Sequence, residues 1–138
     1  MRFAAAAAER NIGVSVPWGH AQKYDVITDA DGVLKRVQVK LATYSPSKDR
    51  WDADVRVTRR PTRGTEVRTP SEGGYDILAV IAGSAIYLFR EGDVRGRSAI
   101  VLRPPGCRAA LSRGRAIGAY DNEVGLDAWR ILKEVDSD

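Results

Sequence analysis

The 138-residue chain contains one cysteine and one histidine. With Cys107 alone, no internal disulfide and no cysteine-based zinc cluster can form. With His20 alone, histidine-rich metal sites and triads of the Ser-His or Cys-His type lack the partners they need. A two-member Cys107–His20 pair is compatible with the counts, but neither residue lies in a nucleophile motif. This cysteine usage leads us to expect a reducing, cytoplasmic location. No apolar run approaches the ~20 residues of a membrane-spanning helix. The opening MRFAAAAAER has alanines where a secretory signal has a leucine-rich core, and it lacks a cleavage site. A helix is the expected reading. Apolar residues make up 43% of the chain, enough for one packed domain of this length and too few for membrane insertion.

Charge is unevenly spread under a net +4. Residues 1–55 carry 8 bases and 7 acids, and residues 116–138 carry 2 bases and 6 acids. Residues 56–115 carry 12 bases against 5 acids, and lysine is absent from them: all 12 are Arg. Guanidinium forks match phosphate geometry and stack on bases, so an Arg-only basic middle fits a polyanionic partner. The same composition also arises on a solvated face when codon bias displaces lysine.

The elements follow from periodicity and punctuation. Residues 2–11 read as a helix that stops at Asn11-Ile12-Gly13. Val14–Trp18 reads as extended, Gly19–Gln22 as a loop and Tyr24–Thr28 as a strand. Asp29-Ala30-Asp31-Gly32 is a strong turn signal, and Leu34–Leu41 is its return strand. Thr43–Arg50 is polar around Pro46 and reads as a loop. Trp51–Thr58 alternates as a half-buried strand. Residues 59–74 are rich in Arg, Pro and Gly and read as a long mobile loop. Tyr75–Ile81 and Ala85–Phe89 read as an apolar hairpin, Arg90–Arg97 as a charged connector and Ser98–Leu102 as a strand. Residues 107–120 carry no clear pattern. Asp121–Val135 reads as a final helix with Val124, Leu126, Trp129, Leu132 and Val135 as its apolar stripe.

The hairpin carries the chemistry. Gln38 and Lys40 share a face of their strand because side chains alternate with period 2. Across the turn stands Asp25. A hard divalent cation takes oxygen ligands; Asp25, the Gln38 amide oxygen and the Val39 carbonyl could supply three. Lys40 could orient a water or neutralise charge on a phosphate. The bland alternative is a solvent face with a weak Asp–Lys pair.

The stretch VSVPWGHAQKYDVITDADGVLKRVQVKLATY resembles the PD-(D/E)xK nuclease superfamily, and within it the branch of group I intron-associated homing endonucleases. The matching segments are Val14–Gly19, Tyr24-Asp25, Asp31-Gly32 and Val37–Lys40, followed by the two apolar strands of YDILAVIAGSAIYLF. The resemblance spans roughly residues 13–90 and implies a single α/β (α+β) domain, a mixed sheet flanked by helices. It implies Asp25 as the metal-binding acid, Gln38 in the position where most of the superfamily has Glu, and Lys40 as the active-site lysine. It also implies Mg²⁺ or Mn²⁺, and metal-dependent cleavage of DNA.

In that superfamily the first helix often supplies a further Glu about two dozen residues before the Asp. Here that position falls at or before Met1. Glu9, 16 residues upstream of Asp25, is the candidate replacement. Without a second acid, the domain would be a DNA-binding module that has lost activity. A structure-selective nuclease of the Holliday-junction resolvase type shares the same chemistry, and a basic protein-interaction domain is a further alternative. Double-stranded or branched DNA is the expected partner. Cutting both strands implies a homodimer or homotetramer.

Arg59, Arg60, Arg63 and Arg68 are the expected DNA-contacting residues, on a basic loop that could track a phosphate backbone. Thr43 and Tyr44 are further candidates for backbone contact. His20 reads as a loop residue within reach of a phosphate. Trp18 and Trp51 read as core or edge aromatics, with base-stacking platforms as the alternative, and Trp129 as packing in the core or at a dimer interface.

Overall fold

The computed structural model describes residues 2–19, 23–59, 64, 67–69, 73–83, 85–102 and 129–135. His20, Arg60, Arg63, Cys107, the 107–120 stretch and residues 121–128 of the expected final helix lie outside them.

The chain starts with α1 (Arg2–Glu9), built on five consecutive alanines, the best helix former. It ends in a Schellman motif. Asn11 takes φ 59°, the Ile12 N–H donates to the Ala7 carbonyl at 3.0 Å and the Asn11 N–H to the Ala8 carbonyl at 3.0 Å. Phe3 and Ala7, four residues apart, give the helix its buried face.

Five strands make the main sheet: β1 (Gly13–Ser15), β2 (Val26–Ala30), β3 (Val33–Leu41), β8 (Ile77–Ala82) and β9 (Ala85–Arg90), in the order β1-β2-β3-β8-β9. Only β3 and β8 are parallel, with Val37 opposite Ile77 and Leu41 opposite Ile81. The β2–β3 hairpin closes through Asp31 and Gly32 at φ 54° and 86°, which suits the two-residue type I′ turn that matches strand twist. All six residues of β8 are buried, as expected of an inner strand covered on both faces.

One face of this sheet packs against α1 and the C-terminal segment through Phe3, Ala7, Val37, Leu88 and Leu132. The other face carries Leu78, Val80 and Phe89. It packs under a second sheet of β10 (Ala99–Leu102), β5 (Arg50–Asp54) and β4 (Thr43–Ser45). A two-stranded ribbon of β6 (Val57–Arg59) and β7 (Val67–Thr69) pairs with neither. No helix among the described residues is long and apolar enough to cross a membrane.

The fold corrects several expectations. Thr43–Arg50 is not all loop: Thr43–Ser45 pairs with Arg50–Asp52, and Tyr44 meets Trp51 across the ladder with ring centroids 5.4 Å apart. A cross-strand aromatic pair of this kind stabilises a strand that polar composition disguises. The 59–74 stretch includes Arg59 and Val67–Thr69 of the ribbon. The charged connector contains the short α2 (Glu91–Val94), where Glu91 and Arg95 pair one turn apart. The last described segment is a 3-10 turn over Arg130–Lys133. Trp129 and Leu132 are buried as expected, but Val135 lies beyond the turn and is exposed. Of the core and edge alternatives for Trp18, the core one is excluded: it follows the edge strand β1 and is fully exposed.

Candidate active site

β3 outruns β2. The ladder between them ends where Val26 faces Val37. Asp25, one residue earlier, continues the line with a hydrogen bond from its N–H to the Val37 carbonyl at 2.9 Å. Its carboxylate then does what the next backbone pair would have done. Oδ2 accepts the Val39 N–H at 2.8 Å and the Gln38 Nε2–H at 2.9 Å. Asp25 is exposed, whereas Gln38, Val39 and Lys40 are half-buried. The structure therefore brings Asp25, Gln38 and Val39 into direct contact.

The direction of the backbone groups follows from the same bonds. Along β3 the groups of Arg36 and Ala42 point to β8, where the Arg36 carbonyl meets Asp76 and the Ala42 N–H meets Ile81. Those of Val37 and Val39 point to β2. The N–H and carbonyl of one strand residue face the same edge, so the Val39 carbonyl is directed to the edge where Asp25 sits. Gln38 and Lys40 lie in register with Leu78 and Val80, on the face under the second sheet. Among the described residues Lys40 makes no ion pair, and neither does Asp25.

The donor set is chemically suited to a hard cation. One carboxylate oxygen, Oδ1, is left beside the two bonds to Oδ2. The Gln38 amide now donates to Asp25, and a half-turn of its terminal group would present its oxygen instead. Together with the Val39 carbonyl these are three oxygen donors bearing one negative charge, and Mg²⁺ binds through one or two carboxylates while retaining waters.

Glu9 is not part of this cluster. It closes α1 at the end that leads through Ile12 into Gly13, which faces Asp29. Asp29 lies four residues along β2 from Asp25, about 13 Å at the usual strand rise. The opposite end of α1 lies towards Gly83, whose carbonyl accepts the Arg2 guanidinium. The described residues contain no group of three acidic, histidine or cysteine side chains poised for a metal.

Thr43 lies at a groove of about 370 Å³ with Leu41, Asp52, Asp54 and Arg56. Asp54 is held by Arg56 at 2.9 Å and Asp52 by Arg50 at 3.1 Å. Tyr44 is spoken for, since its hydroxyl donates to Asp49 at 2.7 Å. Arg59 and Arg68 belong to the ribbon, opposite Val67 and Thr58 respectively.

A second cavity, of about 380 Å³, opens by Asp76, Glu91 and Glu134. Its carboxylates are already matched. Asp76 pairs with Arg36 at 3.1 Å, Glu91 with Arg95 at 2.6 Å, and Glu134 with Arg90. Burial pushes the Asp76 carboxyl up, but the Arg36 hydrogen bonds outweigh it and hold it below the usual range. The Arg95 fork lowers Glu91 against the opposing effect of burial, helped by the Gly73 N–H. These pairs brace α2 and the C-terminal segment against the sheet. Each of these three carboxylates is thus committed to an arginine.

Residues 1–90 match the profile of the PD-(D/E)XK endonuclease family. The solved structure of a bacterial homing endonuclease, I-Ssp6803I, is 29% identical and superposes with a TM-score of 0.63, covering 79% of this chain and 78% of that one. No curated protein sequence matches. The Asp25, Gln38 and Lys40 cluster lies inside the matched span, and with that match over most of its length the chain belongs to the PD-(D/E)XK endonuclease family.

Proposed function

We propose that this protein is a metal-dependent DNA endonuclease that hydrolyses phosphodiester bonds, as a homing endonuclease does. The observation that carries the reading is the end of β2. There a carboxylate is tied to an amide and a backbone N–H, with a lysine two residues beyond the amide. Mg²⁺ or Mn²⁺ would be held by Asp25, the Gln38 amide oxygen and the Val39 carbonyl. When bound, such a cation supplies Lewis-acid polarisation of the scissile phosphate.

The chain's own groups do the rest. The Val39 N–H fixes the orientation of the Asp25 carboxylate before any ligand arrives, so little reorganisation is needed. The Gln38 amide holds that carboxylate by its N–H, and its oxygen would be the group it offers to a bound cation. The Lys40 ammonium neutralises the charge that develops on the phosphate during water attack. Arg59, Arg60, Arg63 and Arg68 supply backbone contacts from the β6–β7 region, and Thr43 adds one near the site. A two-stranded ribbon is narrow enough to enter a DNA major groove. One site cuts one strand, so a double-strand break requires a homodimer or homotetramer.

The test is nicking of supercoiled plasmid in Mg²⁺, with a four-way junction and a linear duplex as parallel substrates. Activity that EDTA stops and that Asp25→Asn removes supports the proposal. Preference for the junction would make the enzyme resolvase-like. Full activity in Asp25→Asn would sink the assignment.

A second reading has one observation in its favour: Asp25 is the only carboxylate in the described cluster, and Glu9 is bonded to none of its residues. On that reading the domain binds DNA without cutting it. Calorimetric titration with Mg²⁺ separates the two readings, since a non-cutting domain would show no saturable metal binding that depends on Asp25.

A further inference from the structure

We infer that Trp18 stacks on a nucleobase beside the phosphate engaged at the Asp25 site, making it a DNA-positioning residue. The inference rests on the endonuclease reading above. The three tryptophans have different fates. Trp129 is 3% exposed and stacks on Phe3 with ring centroids 5.6 Å apart. Trp51, on β5, is half-buried against the core between the two sheets. Trp18 is 100% exposed. Burial of an aromatic ring is what makes it stabilising, so the fold gains nothing from this indole.

Its location is set by the sheet. β1 is the edge strand and its last pair is Ser15 with Ile27. From that pair, two residues forward reach Pro17 and two residues back reach Asp25. Trp18 is one step further, towards the end of the sheet where Val39, Lys40 and Leu41 extend past β2. Three residues of chain span at most about 10 Å, so Trp18 lies within that distance of Ser15, the last paired residue of the edge strand. Pro17 before it has a fixed φ. Gly19 after it has φ 105°, a backbone that favours glycine. The indole is thus carried on a shaped turn, with exposed Val16 beside it.

Charge favours DNA as the occupant. The segment that leads from β1 into Asp25, residues 13–24, contains no Asp or Glu and includes Lys23. Even with the exposed Leu41 at that end of the sheet, Val16 and Trp18 fall far short of the ~1,000 Å² that a stable protein interface needs. A nucleobase presents a flat π-face of indole size, and stacking of this kind is tolerant of sequence.

The test uses fluorescein-labelled 30-mer duplexes, intact or with one unpaired base, bound in EDTA so that no cutting occurs. Trp18→Ala should weaken binding about five- to hundredfold, the range of one base–aromatic stack. Trp18→Phe should recover most of that loss. The slope of log K against log salt should stay unchanged, because no phosphate contact is removed. Tryptophan emission of the unsubstituted protein should be quenched by DNA, and Trp18→Phe should abolish that quenching.

Equal affinity of Trp18→Ala and the parent protein would overturn the inference while leaving the endonuclease reading intact. A changed oligomer by sedimentation, with DNA affinity per site unaltered, would also overturn it and assign Trp18 to a second copy of the chain. If the parent protein binds none of the probes, the endonuclease reading fails and this inference fails with it.

Discussion

Tyr-Asp followed by two apolar residues occurs twice, as Tyr24-Asp25-Val26-Ile27 and Tyr75-Asp76-Ile77-Leu78. Each Asp immediately precedes a strand that flanks β3. Each donates its N–H to a β3 carbonyl at 2.9 Å and accepts a β3 N–H at 2.8 Å. Their side-chain partners then diverge. Asp76 receives the forked guanidinium of Arg36 at 3.2 and 3.1 Å, whereas Asp25 receives the neutral amide of Gln38. A bidentate Arg–carboxylate pair is a stable structural element. A carboxylate held only by neutral donors keeps its full charge for a cation. The same local motif therefore yields a brace at one edge of β3 and a candidate metal ligand at the other.

Substitutions at the two aspartates should break this comparison in opposite directions. Asp25→Asn is expected to lower nicking by roughly 10²–10³-fold, the usual cost of losing one charge-stabilising group, with an unfolding midpoint close to that of the parent. Lys40→Ala should do the same. Asp76→Asn should show the reverse: a loss of about 1 kcal/mol in urea unfolding, modest because the pair is partly exposed, with nicking per folded molecule nearly unchanged.

Glu91→Gln should cost more stability than Asp76→Asn, roughly 1–3 kcal/mol. Glu91 is buried and serves both the Gly73 N–H and Arg95. Gln38→Glu sharpens the contrast from the other side. An added negative charge should tighten Mg²⁺ binding by roughly an order of magnitude, because affinity follows ligand charge, and calorimetry reads it directly.

The smallest expected effect is on pH. Asp76, Glu91 and Glu134 all have folded pKa values below their ordinary ones. Groups of this kind stabilise the fold above the unfolded-state pKa, and that contribution is lost as pH falls through the folded value. Stability should therefore be flat around neutrality and decline once pH enters and passes below the ordinary carboxylate range. Glu91→Gln should flatten that decline in acid-unfolding curves. A curve unchanged by the substitution would remove Glu91 from the account.

Much of the fold was legible in local patterns. The alanine run and Asn11 marked α1, and Asp31-Gly32 marked the turn whose register aligns Asp25 with Gln38. The apolar runs around Gly83 marked the buried hairpin. The misreadings share a cause. Thr43–Ser45 has no apolar period of its own, and pairing with Arg50–Asp52 makes it a strand. Trp18 carries the composition of a core residue, but it follows the last pair of an edge strand, where none of the described elements covers it.

The sequence by itself determined the candidate site's side chains and their shared face, because alternation and a two-residue turn are local properties. Only the tertiary structure decided which of two identical Tyr-Asp motifs remains uncommitted. That choice depends on what β3 presents at each edge: Arg36 towards β8, and Gln38 with the Val39 N–H past the end of β2. The Arg36–Asp76 pairing joins residues 40 positions apart, and no local pattern in the chain encodes it.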